Sequence, residues 1–332
     1  MREDGRRVVL LEYVSAVGQL AVFGVRADWD QPKAALLDVN HEELSLFVSA
    51  NLDSYRSVRD LAEMPELLHQ YDDIVRPLAE WSEPGDVVCL VPHGALHRMP
   101  LHALRVGERY LIERNPVVYA PSVSVLRHSR TGRNRAAPEQ PETMAVFGDS
   151  RQNLPDAAAE ATMLGDQFGA EVRLGAAVTR ENLQQALTQA DLVHIAGHAA
   201  FDQRDPLQSG LELHGSDVLT AGEIFGMPRM RASLVTLSGC ETGINLHQSG
   251  DELIGLTRAF LYARTSSLLV SLWSVADDST AFFMRRFYDH LLSRPGLAKA
   301  DALRTAVLET MREPGWDSLY HWAPFTLIGD WL

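Results

Sequence analysis

Apolar positions along this chain form two kinds of run, short continuous stretches and longer stretches in which they recur every three or four residues, and the two kinds alternate. A continuous run bounded by turn residues reads as a buried strand, and the three-to-four spacing reads as one face of a helix. Residues 7–25 alternate apolar runs around Val17-Gly18 and predict a hairpin, followed by a polar stretch. Over 52–81, Leu61, Met64, Leu67, Leu68, Tyr71, Ile74, Val75 and Leu78 fall at helical spacing and predict a helix. Strands are expected at 86–92 and 117–120.

From residue 143 the alternation becomes regular. Strands are predicted at 144–147, 192–196, 234–237, 267–273 and 323–328. Helices are predicted at 156–168, 179–189, 218–225, 252–263, 278–292 and 297–312, the second opened by a Thr179 cap. Strands alternating with helices of this length imply βαβ units. The fold class expected is a three-layer α/β/α sandwich with a mainly parallel central sheet, preceded by an N-terminal α/β part. Between 127 and 142 the pattern lapses: four arginines (Arg127, Arg130, Arg133, Arg135) and two prolines leave almost nothing to bury. That segment reads as a flexible surface linker dividing an N-terminal part, 1–126, from a second unit, 143–332.

Composition narrows the class of partner. A net charge of −14, with 44 acidic against 30 basic residues and no Lys/Arg run, argues against direct nucleic-acid binding. No apolar run approaches the roughly 20 residues a membrane helix needs. Two cysteines and a charged N-terminus without a secretion signal fit a reducing cytoplasm.

The candidate chemistry lies where two of these strands end. Leu192-Val-His-Ile-Ala-Gly-His198 and Leu234-Val-Thr-Leu-Ser-Gly-Cys240 each close on a small residue and then on one reactive side chain. A strand followed by a Gly-flanked turn presents a group at the carboxyl edge of an α/β sheet, where such folds bind ligands. On neighbouring strands His198 and Cys240 would share one cleft, the arrangement for a thiolate nucleophile activated by an imidazole. The glycines around Cys240 let backbone N–H groups approach a carbonyl, as an oxyanion hole requires. His194, inside the strand, reads as a core histidine. It cannot share a metal ion with His198, because residues four apart in a strand are about 13 Å apart. His93, His97 and His102 lack a carboxylate or cysteine at ligand spacing and read as part of a structural turn. Cys89, within an apolar strand, reads as structural. No metal and no cofactor are implied.

Six segments carry a resemblance in order: Val91-Pro-His-Gly-Ala-Leu-His-Arg-Met-Pro-Leu-His-Ala-Leu104, Tyr119-Ala-Pro-Ser122, His194-Ile-Ala-Gly-His198, Leu237-Ser-Gly-Cys-Glu-Thr-Gly243, Ser271-Leu-Trp-Ser-Val-Ala-Asp277 and His321-Trp-Ala-Pro-Phe325. Together they are similar to the CHAT domain, which resembles caspases and separase, cysteine peptidases of clan CD with a His then Cys dyad. The 42 residues from His198 to Cys240 lie near the roughly 50 of caspases. The resemblance implies a cysteine endopeptidase of bacterial type acting on a protein target, with Cys240 as nucleophile, His198 as general acid/base, and backbone N–H groups of Ala199 and Cys240 as the oxyanion hole. The chain departs from the family pattern in two places, with His198-Ala199 for His-Gly and Ser238-Gly239-Cys240 for Ser-Ala-Cys. Alanine tolerates fewer backbone angles than glycine, which puts the oxyanion geometry in question.

Many relatives cut after a basic residue, so acidic loop residues become pocket candidates: Asp202, Asp205, Glu241, Asp251, Asp277 and Asp278. An Arg-cutting enzyme could also process itself in the 127–140 segment. The competing reading is a catalytically idle scaffold of the same fold that binds a partner protein, and an acyl transferase or hydrolase using the same dyad is a further alternative. Either way a protein substrate or a regulatory protein is the expected partner.

Overall fold

The computed structural model describes residues 5–332 apart from 17, 53–54, 64, 132–140, 201, 203–204, 239–250, 274 and 276. Strands that read as wholly apolar became the centre of the sheet. β1 (Val8–Ala16), β2 (Gln19–Arg26), β3 (Lys33–Asn40), β4 (Val87–Val91), β5 (Val117–Tyr119), β6 (Met144–Gly148), β7 (Glu171–Leu174), β8 (Leu192–Ala196), β9 (Leu234–Ser238), β10 (Ser267–Ser271) and β11 (Phe325–Gly329) form one sheet. Among the described residues its order is β3-β2-β1-β4-β5-β11-β10-β9-β8-β6-β7.

Every position of β4, β6, β8, β9 and β10 is buried, so both faces of the sheet are covered, as a parallel sheet needs. The principal helices are α1 (His41–Leu52), α2 (Tyr55–Glu63), α3 (Val123–Thr131), α4 (Pro155–Phe168), α5 (Arg180–Gln189), α6 (Asp251–Tyr262), α7 (Asp277–Ser293) and α8 (Lys299–Thr310). The molecule is a mixed α/β protein with a large, mostly parallel central sheet.

Strand direction divides this sheet in two. β1, β4, β5 and β11 run parallel to one another, as do β10, β9, β8, β6 and β7. The blocks meet where β10 pairs antiparallel with β11 from Ser267↔Gly329 to Ser271↔Phe325. Their carboxyl edges therefore lie at opposite ends of one continuous sheet, and His93, just after β4, faces away from the end where His198 follows β8. Phe283 of α7 closes the seam by stacking on Phe325 of β11, centroids 3.7 Å apart.

Several elements differ from expectation. The helix predicted over 52–81 is broken into α2, Glu66–His69, a 3₁₀ turn at Asp72–Ile74, and Leu78–Trp81, with Pro65 and Pro77 at two of the starts. Proline has no N–H and clashes with the carbonyl four residues back, so it opens helices rather than continuing them. The helix expected over 218–225 is a strand, Val218–Thr220, then a helix, Ala221–Phe225, separated by a capping box between Thr220 and Glu223. β3 and β7 were not anticipated. α3 runs through Thr131, five residues into the segment expected to be a linker. It is held there by Arg130, which reaches Asp330 at 3.0 Å and lies 3.8 Å over the Trp331 ring, and by His128 stacked on Tyr262. Residues 132–140 of that segment lie outside the described residues.

α7 and α8 are joined by a two-pronged contact, Arg286 Nε and Nη2 donating to Glu309 at 2.6 and 2.9 Å, with His290 Nε2 3.0 Å from the same carboxylate. The Arg286 hydrogen bonds hold the Glu309 carboxyl down at about 2. A depressed carboxyl pKa stabilises the fold above the unfolded value near 4.3 and loses that contribution as pH falls toward 2. Glu309→Gln is therefore expected to flatten the acid-side loss of stability in that window. Urea titrations at pH 5, 4 and 3 measure it, and parallel losses in both proteins would refute the assignment.

Candidate active site

The site is built by the register of three neighbouring strand ends. Ala196 of β8 pairs with Ser238 of β9 on one side and with Gly148 of β6 on the other. His198 lies two residues beyond Ala196, and Cys240 two residues beyond Ser238. The ladder continues past the strands, with Gly197 N–H donating to Ser238 O at 3.3 Å and Asp149 N–H to Ala196 O at 3.0 Å. Cys240 and Glu241 lie outside the described residues.

His198 is half-exposed, and its carbonyl accepts the Glu212 N–H at 3.0 Å. Immediately after it, Ala199–Ala200 pairs with Gly210–Glu212, which pairs with Val218–Thr220. This small sheet needs Gly210, since a Cβ there would come within 2.2 Å of Leu219 O. Ala199 is thus extended backbone outside the left-handed region, a conformation alanine adopts without strain. Its replacement of the family glycine carries no backbone cost.

Of the acidic candidates, Asp202 and Asp205 hold backbone groups of one loop. Asp202 Oδ1 accepts the Asp205 N–H at 3.0 Å, and Asp205 Oδ1 accepts the Leu207 N–H at 3.1 Å as the cap of a 3₁₀ turn at Pro206–Gln208. Both carboxylates shape their own loop. Asp251 and Asp277 begin α6 and α7, and Asp278 is exposed in the first turn of α7.

His194 is wholly buried, as a core histidine should be. Its Nδ1 lies 3.2 Å from the Tyr288 hydroxyl, which is 2.7 Å from Thr236 Oγ1. Its Nε2 approaches Glu160 Oε1 at 2.8 Å, at an angle that leaves neither atom in a well-formed hydrogen bond. Glu160, Thr236 and Tyr288 gave no signal in the sequence, because nothing local marks a polar group contributed to another element's core. Glu212, whose N–H holds the His198 carbonyl, its ion-pair partner Arg151, and Ser150, near Gly197, gave no signal either.

His102 is buried, with Nδ1 2.8 Å from the Tyr119 hydroxyl, and burial pulls its pKa down to about 3, so it stays neutral. The His41 and His93 rings lie 6.2 Å apart. Among the described residues no group of three or more His, Cys, Asp or Glu side chains could hold a metal ion. Burial pushes the Cys89 thiol up to about 12, far from the reactive range.

The large, mostly parallel central sheet with helices on both faces defines the class: an α/β protein with the caspase-like fold. The CHAT domain family model matches residues 65–330, and the chain belongs to that family. Tetratricopeptide repeat protein 28 of Mus musculus is 28% identical over 80% of this chain, and that of Homo sapiens 27% over 80%. The chain spans only 13% of the length of either relative. Separase in the Saccharomyces cerevisiae separase–securin complex matches 97% of this chain and 30% of its own at 11% identity, with a TM-score of 0.71. At that identity the likeness concerns the fold. No helix among the described residues is long and apolar enough to cross a membrane.

Proposed function

We propose that this chain is a cysteine endopeptidase that cuts a protein target after Arg or Lys, with Cys240 as nucleophile, His198 as general acid/base, and backbone N–H groups of Ala199 and Cys240 as oxyanion donors. The observation that carries the reading is the pairing of Ala196 with Ser238, which sets the chain positions of the two reactive residues beyond matched ends of adjacent strands. In the reaction the thiolate attacks the scissile carbonyl, the imidazole protonates the leaving amine, and the same imidazole then activates water to release the acyl-enzyme. The unstrained extended backbone at Ala199 favours an active site over an idle one.

Preference for a basic residue rests on the acidic candidates of the loops that follow the strands: Asp202, Asp205, Glu241, Asp251, Asp277 and Asp278. The test is a fluorogenic peptide panel with Arg, Lys, Leu or Asp before the scissile bond. Arg and Lys peptides are expected to be cut at least tenfold faster, and equal rates would refute the preference. Self-processing is expected at Arg133 or Arg135, since Arg127 and Arg130 lie in α3. Mass spectrometry of the wild type beside Cys240→Ala detects it. A protein regulator is the partner most in keeping with the separase neighbour, which was solved in complex with securin.

A further inference from the structure

Among the described residues nothing satisfies the Ser150 hydroxyl: the residue is 3% exposed and its Oγ has no hydrogen-bond partner there. Buried hydroxyls are nearly always bonded because an orphan is unfavourable, so one that persists calls for an explanation. Its place in the sheet supplies one. Gly148 pairs with Ala196, so Ser150 and His198 stand two residues beyond matched positions of neighbouring strands. Ser150 Oγ lies 3.9 Å from where a side chain on Gly197, the residue before His198, would begin.

The turn that holds Ser150 is strained and fastened. Asp149 and Gln152 take left-handed φ angles of 49° and 58°, a conformation that non-glycine residues adopt at a cost and that concentrates at functional sites. Asp149 Oδ1 locks the turn by accepting the N–H groups of Asn153 and Leu154 at 2.7 and 2.8 Å. Arg151 pairs with Glu212 at 3.0 Å, and the Glu212 N–H is the group that holds the His198 carbonyl. One turn thus grips the histidine segment from both sides while presenting a bare hydroxyl beside it.

We infer that Ser150 is a positioning residue for His198: turned toward Ser150, the imidazole donates one ring N–H to the hydroxyl oxygen, a bond not made in this structure, and its other ring nitrogen is left for the Cys240 thiol. Ser150 keeps its own proton, and no covalent bond changes at it. The inference rests on the dyad reading above and supplies the third group that the sequence did not reveal.

The test is Ser150→Ala beside Ser150→Thr, which keeps the hydroxyl. The alanine variant is expected to lose about tenfold in kcat, the worth of one neutral hydrogen bond, with KM unchanged. Its thermal midpoint should be unchanged or higher, because an orphan polar atom has been removed. The threonine variant should keep most of the activity. Unchanged kcat in the alanine variant, or an equal loss in both variants, would overturn the assignment. Ring-nitrogen chemical shifts of His198, identified with His198→Ala, report the tautomer without any turnover. A dominant tautomer that becomes mixed in Ser150→Ala supports the role, and identical shifts in both proteins overturn it. A wild type that cleaves no peptide counts against the peptidase reading alone, since the ring shifts still decide Ser150.

Discussion

Replacing Cys240 with alanine is expected to abolish cleavage of an Arg peptide, and His198→Ala to lower kcat/KM by about 10³-fold, within the range that general acid–base catalysis supplies. On the proposed mechanism the losses differ because the cysteine would form the acyl-enzyme, whereas without the imidazole a minor thiolate fraction would still react at neutral pH. In that mechanism the two residues act on one bond as a unit, so the double variant should be no worse than Cys240→Ala. Initial rates measure all three proteins, and iodoacetamide labelling of Cys240 follows thiol reactivity independently of turnover. Cleavage surviving in Cys240→Ala would remove this cysteine from the mechanism. Normal labelling of Cys240 in His198→Ala, at the wild-type rate and pH dependence, would show that the imidazole does not activate the thiol.

What the sequence revealed of this arrangement follows from what hydrophobic pattern can encode. β8, β9 and β10 are apolar at nearly every position because helices cover both their faces, and their bounds were readable to within two residues. β3 and β7 lie at the two edges of the sheet. There, exposed Lys33, Asp38 and Glu171 interrupt the pattern, and neither strand was foreseen. Strand direction leaves no mark on hydropathy, so the antiparallel seam of β10 and β11 was invisible. With it was hidden the separation of His93, His97 and His102, which follow β4, from His198.

The site was legible in part for a similar reason. Gly197 before His198 and Gly239 before Cys240 are local signals of a strand end. Glu160 and Tyr288 come to His194 from 34 and 94 positions away in the chain, and Ser150 reaches the site only through the register of β6 and β8. Such contributions are properties of the assembled sheet. The six ordered segments of family resemblance pointed to His198 and Cys240 as the expected dyad but said nothing of the residues packed around their strands.

The seam that the sequence concealed carries the second large effect. Phe283→Ala is expected to destabilise the protein by about 3–5 kcal/mol, the range for emptying a fully buried aromatic site. That is a substantial part of the roughly 5–15 kcal/mol that folded proteins possess. Phe283 is 0% exposed and its ring lies nearly parallel to that of Phe325, which is 1% exposed and pairs with Ser271 across the junction of the two parallel blocks. Phe287, 6.3 Å from Phe283, and Tyr288 behind it continue the same aromatic layer toward His194. Truncation therefore opens a cavity between blocks that share one sheet. Urea unfolding should show the midpoint falling with the slope unchanged and one transition retained. Leu36→Ala, at a side chain 60% exposed on edge strand β3, should shift stability by less than about 0.5 kcal/mol. Two separate transitions in Phe283→Ala, only one of them displaced, would mean that the blocks fold independently and that the continuous sheet does not make them one cooperative unit.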